Sequence, residues 1–134
     1  MIEDIEGNVF GGFVSSPIDN YLYKDNDEWK GSNITDANAF VFSLKSNGRL
    51  KYPTKFDIKS EEIGWAFTLY KQEWELLFII GGGDICIKKD NYKTECYCHQ
   101  LSFNYQGVRN VLVGKEGREN TFEVKRIQVW QMSI

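Results

Sequence analysis

The residues best suited to chemistry in this sequence are three cysteines and one histidine. All of them fall in one stretch of the chain, and the cluster consists of Cys86, Cys96, Cys98 and His99. A Cys₃His set has the ligand types of a structural zinc site. Zinc knuckles usually separate paired cysteines by two to four residues, whereas only Tyr97 stands between Cys96 and Cys98. We therefore predict a packing role for the cluster, with no cofactor, and keep a metal- or redox-dependent protein as an alternative.

A catalytic role for this cluster would depend on His99, because a thiol or hydroxyl nucleophile needs a neighbouring base. Cys98 is adjacent to His99 in the chain, and adjacent residues of an extended segment point to opposite faces. Cys86 and Cys96 would meet His99 only through folding that nothing in the local sequence requires. The sequence therefore predicts no catalytic residues and a protein that is not an enzyme.

A second unusual feature is the run LLFIIGGGDICI, in which Gly81, Gly82 and Gly83 separate two apolar segments. Phosphate loops place such glycines before a helix, whose N-terminal amides face the anion. Here the residues after Asp84 have the composition of a strand. We predict that the glycines form a tight connection between two strands, either a structural loop or an interaction loop, with positive φ angles or close packing. Asp84 is predicted to cap this turn through its own backbone.

The composition is that of an ordered globular protein, and the 134 residues fit a single domain spanning 1–134. A net charge of −3 disfavours binding to nucleic acid or anionic lipid. A local basic patch keeps an oxidant-responsive nucleic-acid-binding regulator as a second alternative; its residues are Lys88, Lys89, Lys93 and Arg109. No apolar run is long enough to span a bilayer, and the acidic N-terminus is unlike a signal peptide. With an odd number of cysteines, the sequence predicts reduced thiols and a cytoplasmic or nuclear location.

Strand signals dominate the rest of the chain. The predicted strands lie in residues 8–16, 38–45, 64–71, 73–80, 84–89 and 120–132. Gly11 and Gly12 indicate a bulge or a close backbone approach in the first of these. Asn-Gly within residues 46–49 predicts a hairpin turn, and Lys125–Arg126 is predicted to carry a bulge. The only helix signal is Ser16 followed by Pro17. Short, closely spaced strands predict a mainly β (or α+β) fold, a two-sheet antiparallel β-sandwich with a few short helices.

Four blocks of the sequence, in this order, resemble the TLDc domain of the oxidation-resistance proteins. The blocks are GNVFGGFVSSP (Gly7 to Pro17), DANAFVFSL (Asp36 to Leu44), LLFIIGGGDICI (residues 76–87) and FEVKRIQVWQM (Phe122 to Met132). They extend over the chain from residue 7 onward, and the family's fold is a two-sheet antiparallel β-sandwich. Two departures are visible. The helical and hairpin segment that usually precedes the first block is lacking, and the glycine run is shorter than in the family. The chain is therefore expected to be part of a longer protein or a reduced form of the domain.

The resemblance implies a function without catalysis. TLDc domains are linked to protection from oxidative stress, and several bind the vacuolar proton-pumping ATPase and regulate its assembly. By resemblance, this chain is expected to be a protein-interaction domain in oxidative-stress resistance, in regulation of that ATPase, or in both. The expected partner is a protein, such as a vacuolar ATPase subunit.

Overall fold

The computed structural model describes residues 1–18, 31–47, 49–70, 74–115 and 120–132. Within these ranges, antiparallel strands form one five-stranded and one six-stranded sheet. The strands are β1 (Ile2–Asp4), β2 (Val9–Phe13), β3 (Gly31–Ile34), β4 (Phe40–Lys45), β5 (Thr54–Asp57), β6 (Phe67–Tyr70), β7 (Leu76–Ile80), β8 (Ile85–Lys88), β9 (Cys96–Tyr97), β10 (Thr121–Phe122) and β11 (Val124–Ile127). Short 3-10 helices span Ser60–Trp65 and Asp90–Glu95. The prediction of a mainly β, two-sheet antiparallel sandwich with a few short helices is confirmed.

The five-stranded sheet has the order β11-β1-β2-β4-β5. The predicted strand at residues 38–45 is β4, and it lies between two neighbouring strands, β2 and β5. A turn follows β4, with the amide of Arg49 donating to the Ser46 carbonyl at 3.3 Å. The connection to β5 is nevertheless a long loop, because pairing resumes only where Ser43 faces Thr54.

The six-stranded sheet has the order β10-β9-β8-β7-β6-β3. Strands β6, β7 and β8 are consecutive in the chain and neighbours in the sheet, as the pattern of residues 64–89 predicts. Gly64 and Trp65 lie in the 3-10 helix rather than in β6, so the predicted start of that strand was too early. The predicted charged connection at residues 71–73 falls outside the described residues.

The C-terminal strand prediction was wrong in extent. Residues 120–132 are not one strand: β10 belongs to the six-stranded sheet and β11 to the five-stranded sheet, and the chain changes sheet at Glu123. The bulge predicted at Lys125–Arg126 is present, because Glu3 faces Arg126 while the adjacent Asp4 faces Val124. The imperfect alternation therefore reflected the bulge, whereas the alternation of Phe122 and Val124 gave no sign of the change of sheet.

The core lies between the two sheets and is rich in aromatic contacts. Phe10 of the first sheet meets Phe122 of the second edge to face, with ring centroids 5.1 Å apart. A segment without regular strands, residues 98–115, also fills the core; its fully buried members include Phe103, Val111, Leu112 and Val113. The buried apolar side chains of this loop thus fill part of the core, as the inward-facing residues of a strand would.

Gly11 and Gly12 are sites of close approach, as predicted. A β-carbon on Gly12 would lie 2.7 Å from the Ile80 Cδ1 atom of the opposite sheet. On the other face, a β-carbon on Gly11 would lie 2.8 Å from the ring of Phe42, its cross-strand partner. The two glycines therefore allow the sheets to pack closely and an aromatic ring to cover the outer face of β2.

The segment that follows β2 is held by Asp36. Its buried carboxylate accepts hydrogen bonds from the amides of Ser15, Ser16 and Asn38 and from the Ser15 hydroxyl. Burial acts to raise the pKa of Asp36, but these hydrogen bonds outweigh it and hold the pKa below its ordinary value of 3.8. Most of the short helix predicted from Ser16 and Pro17, in residues 16–24, falls outside the described residues, which end at Ile18 in this part of the chain.

Asp36 should make the fold sensitive to acid. Because its pKa is lower in the folded than in the unfolded chain, its stabilisation is complete above the unfolded pKa and is lost as the pH falls through the folded one. Asp36→Asn is therefore expected to show a flatter decline in thermal unfolding midpoint than the wild type below about pH 4. Unfolding followed by circular dichroism across this range measures the slope. The exposed Asp57→Asn is the control, and equal slopes for all three proteins would contradict the assignment.

Candidate protein-interaction surface at the glycine turn

Gly81 to Asp84 form the turn between β7 and β8, closed by the paired residues Ile80 and Ile85. Gly81 has a φ of +70° and Gly83 a φ of +137°, values that side chains other than glycine rarely adopt. The amide of Gly81 donates to the Ala66 carbonyl at 3.0 Å. The prediction of a strand-to-strand connection with positive φ angles is confirmed.

Asp84 does not cap its own turn as predicted; it binds a different segment. Its carboxylate, fully buried, accepts hydrogen bonds from the amides of Leu101 and Ser102 and from the Tyr105 hydroxyl at 2.7 Å. Burial raises the pKa of Asp84 above its ordinary value, although these donors partly oppose that effect. The residue thus anchors the loop after β9 to the glycine turn.

Ser102 joins the turn to a third segment. Its hydroxyl accepts from the Gly82 amide at 2.9 Å and donates to the Glu62 carboxylate at 3.3 Å. Lys59, which precedes the 3-10 helix Ser60–Trp65, donates its amide to the Ser102 carbonyl and its ammonium group to the Leu101 carbonyl. The helix, the glycine turn and residues 99–102 therefore form one hydrogen-bonded unit.

This unit presents large apolar side chains on a rigid support. Trp65 is 45% exposed and Leu101 is 50% exposed, and Gly82 and His99 are also exposed. The side chain of Leu101 reaches Gly83, because a β-carbon there would lie 3.7 Å from Leu101 Cδ1. We name this set, Trp65, Gly82, His99 and Leu101, the glycine-turn surface. Tryptophan is one of the side chains enriched at the hot spots of protein-binding surfaces.

The sequence indicated the turn but not its surroundings. Trp65, Leu101 and Ser102 were not among the predicted site residues, since Trp65 was assigned to a strand. Their proximity to Gly82 depends on long-range packing that local patterns do not reveal.

The folded chain separates the predicted metal-ligand candidates. All three cysteines are free and buried, whereas the His99 side chain is exposed and stacks on Tyr97 with centroids 4.4 Å apart. Among the described residues, no group of three or more histidine, cysteine, aspartate or glutamate side chains is arranged to hold a metal ion. The Cys₃His set is therefore not brought together as a site.

The thiols are also poorly suited to nucleophilic chemistry. Burial is the main cause that raises the pKa of Cys86, Cys96 and Cys98, so each remains protonated at neutral pH. We expect no alkylation of the native protein by iodoacetamide at neutral pH, and alkylation of all three cysteines after unfolding in denaturant. Intact-protein mass spectrometry counts the alkylated cysteines in the native and in the unfolded protein. Rapid labelling of any cysteine in the native protein would show that its thiol is accessible and ionised.

Two of the four basic residues proposed for nucleic-acid binding, Lys88 and Lys93, form salt bridges with carboxylates. Lys88 lies 3.4 Å from Glu75 and 3.5 Å from Glu95, and Lys93 lies 3.7 Å from Glu123. Phosphate binding would have to compete with these acidic partners. The arrangement therefore weakens the case for a nucleic-acid interface on this part of the molecule.

Comparisons with known proteins leave the family open. No family model, curated protein or solved structure matches the chain. No helix among the described residues is long and apolar enough to cross a membrane. The assignment of a function therefore depends on the surface itself and on the sequence resemblance.

Proposed function

We propose that the chain is a non-enzymatic protein-interaction domain that contacts its partner through the glycine-turn surface. The observation that carries this proposal is the exposure of Trp65 and Leu101 on two segments that are both hydrogen-bonded to the glycine turn, through the Ala66 carbonyl and the Leu101 amide. A partner that covers these side chains gains apolar burial without having to order the backbone beneath them.

The chemistry of the surroundings favours binding over catalysis. His99 is the exposed imidazole at this surface, and its ring partner is Tyr97. The nearby carboxylate of Asp84 is enclosed by amides and a hydroxyl, so it is occupied in holding the loop. Glu62 is bound to the Ser102 hydroxyl. These groups support a surface that is held in place, which is what recognition of a protein requires.

The partner class comes from the resemblance to TLDc domains. We propose that the partner is a peripheral subunit of the vacuolar proton-pumping ATPase and that binding contributes to oxidative-stress resistance, in the cytoplasm. The ordered blocks that support this include the glycine turn itself. The alternatives of a nucleic-acid-binding regulator and a Cys/His metal- or redox-dependent protein receive less support, because Lys88 and Lys93 have acidic partners and His99 is exposed whereas the thiols are buried.

The test is co-purification of the tagged chain with ATPase subunits from the source cell. Extracts are prepared under conditions that keep the ATPase assembled and under conditions that disassemble it, with and without peroxide. We expect a peripheral subunit to be recovered with the wild-type chain in at least one of these states. Failure to recover any subunit under all of these conditions would overturn the proposed partner.

A further inference from the structure

Cys86 and Tyr97 form a cross-strand pair on the six-stranded sheet. They are direct partners in the antiparallel register of β8 and β9, so their side chains lie side by side on one face. Each side chain acts on the pKa of the other, which places the Tyr97 hydroxyl and the Cys86 sulfur close together. Cys86 is fully buried, whereas Tyr97 is only partly buried. The pair therefore joins a buried thiol to a partly exposed tyrosine.

The position of the Tyr97 ring is well defined. The His99 ring packs against it at an interplanar angle of 33°. Gly83 leaves room beside it, because a β-carbon at that position would lie 3.7 Å from Tyr97 Cε2. The ring is therefore held between these neighbours and the Cys86 side chain, its direct cross-strand partner.

The protonation states favour radical chemistry over thiolate chemistry. Burial raises the pKa of both Cys86 and Tyr97, so the S–H and O–H groups are intact at neutral pH. Peroxides react with thiolates, and this thiol is not ionised. A radical that abstracts hydrogen atoms needs no ionisation, and Tyr97 is the more exposed residue of the pair.

We propose that Cys86 and Tyr97 form a radical-scavenging pair that closes into a thioether cross-link. An alkyl peroxyl radical abstracts the hydroxyl hydrogen atom of Tyr97, giving a hydroperoxide and a phenoxyl radical. The Cys86 thiol returns a hydrogen atom to the phenoxyl oxygen and becomes a thiyl radical. This repair moves the unpaired electron from the partly exposed ring to the buried sulfur.

The cross-link forms on a second oxidation. Another peroxyl radical takes the Tyr97 hydrogen atom again, and the thiyl and phenoxyl radicals combine through a C–S bond at the ring carbon ortho to the hydroxyl. That carbon loses its hydrogen as a proton while the phenolate oxygen gains one. Two peroxyl radicals have become two hydroperoxides, and the protein has lost two hydrogen atoms. This chemistry does not depend on the identity of the partner protein.

The experiment exposes the purified chain to a water-soluble azo initiator in air, which generates peroxyl radicals, followed by a thiol reductant and trypsin. Cleavage after Lys88, Lys89 and Lys93 separates Cys86 from Tyr97. We expect a reductant-resistant species that joins the two peptides and has two hydrogen atoms fewer than their sum. Cys86→Ser and Tyr97→Phe are expected to abolish it, whereas Cys96→Ser and Tyr92→Phe should retain it.

Circular dichroism verifies that each variant is folded, and Tyr97→Phe keeps the ring and its packing, so loss of the product there reports the hydroxyl. The proposal is overturned if the wild-type chain gives oxygenated or dimerised tyrosine without the joined peptides. It is equally overturned if the same joined species forms in Tyr97→Phe.

Discussion

Replacing Gly81 with alanine is expected to lower the free energy of unfolding by about 3 kcal/mol. Part of this cost is conformational, because Gly81 has a φ of +70°. The rest is steric, since a β-carbon would lie 2.8 Å from Asp84 Cγ and 2.9 Å from the ring of Phe103. Neither neighbour can move freely, because Asp84 and Phe103 are both buried.

Gly82→Ala is the matched control for this prediction. Gly82 is exposed, its φ is not in the left-handed range, and the nearest atom to an added β-carbon is the Ser102 hydroxyl oxygen at 3.3 Å. We expect its cost to stay below about 1 kcal/mol. Denaturant unfolding of the wild type and the two variants gives the loss of unfolding free energy caused by each substitution. Equal effects at the two positions would show that the described turn geometry is wrong.

The second large effect is expected at Asp84. Asp84→Ala removes the acceptor for the amides of Leu101 and Ser102 and for the Tyr105 hydroxyl. Each buried donor that is left without a partner costs about 1–3 kcal/mol, so we expect a total loss of about 4 kcal/mol. The variant should also release the loop after β9, because three of its anchoring hydrogen bonds go to this carboxylate.

Denaturant unfolding measures the loss of stability, and hydrogen exchange of the Leu101 and Ser102 amides measures the release of the loop. The exposed Asp57→Ala is the control and should change stability by less than about 0.5 kcal/mol. In the double variant Gly81→Ala with Asp84→Ala, the loss of unfolding free energy should be smaller than the sum of the two single losses, because the clash with Asp84 is gone. Strict additivity would contradict the proposed contact between the two residues.

Local patterns predicted much of the fold. Alternation located β4, the glycines located the β7–β8 connection, and irregular alternation located the bulge in β11. Each of these features is decided by residues close in the chain, through side-chain period or glycine conformation. The sheet change at Glu123 was missed because alternation continues across it and does not reveal which sheet a strand joins.

The candidate site was harder to predict from the sequence than the fold. The role of Asp84 depends on donors from Leu101 and Ser102, which are distant in sequence, and short-range turn chemistry suggested a local cap instead. Cys98 and His99 were easier, because adjacent residues of an extended segment were predicted to point to opposite faces, and Cys98 is buried whereas His99 is exposed. Contacts between distant segments decide the role of Asp84.

We expect Trp65 and Leu101 of the glycine-turn surface to contact the partner, whereas the glycines fix the backbone of the turn. Trp65→Ala and Leu101→Ala remove exposed side chains, so each is expected to leave the unfolding midpoint nearly unchanged. Tyr52→Ala is the matched control, because Tyr52 is 76% exposed on the loop after β4. It removes a comparable apolar surface from another part of the molecule.

The most direct test is to measure binding of the peripheral ATPase subunit by wild-type chain, Trp65→Ala, Leu101→Ala and Tyr52→Ala at equal protein concentration. We predict that Trp65→Ala weakens binding by about 10-fold or more, that Leu101→Ala weakens it in the same direction, and that Tyr52→Ala binds like the wild type. Wild-type affinity in both Trp65→Ala and Leu101→Ala would contradict the assignment of this surface as the partner-binding site.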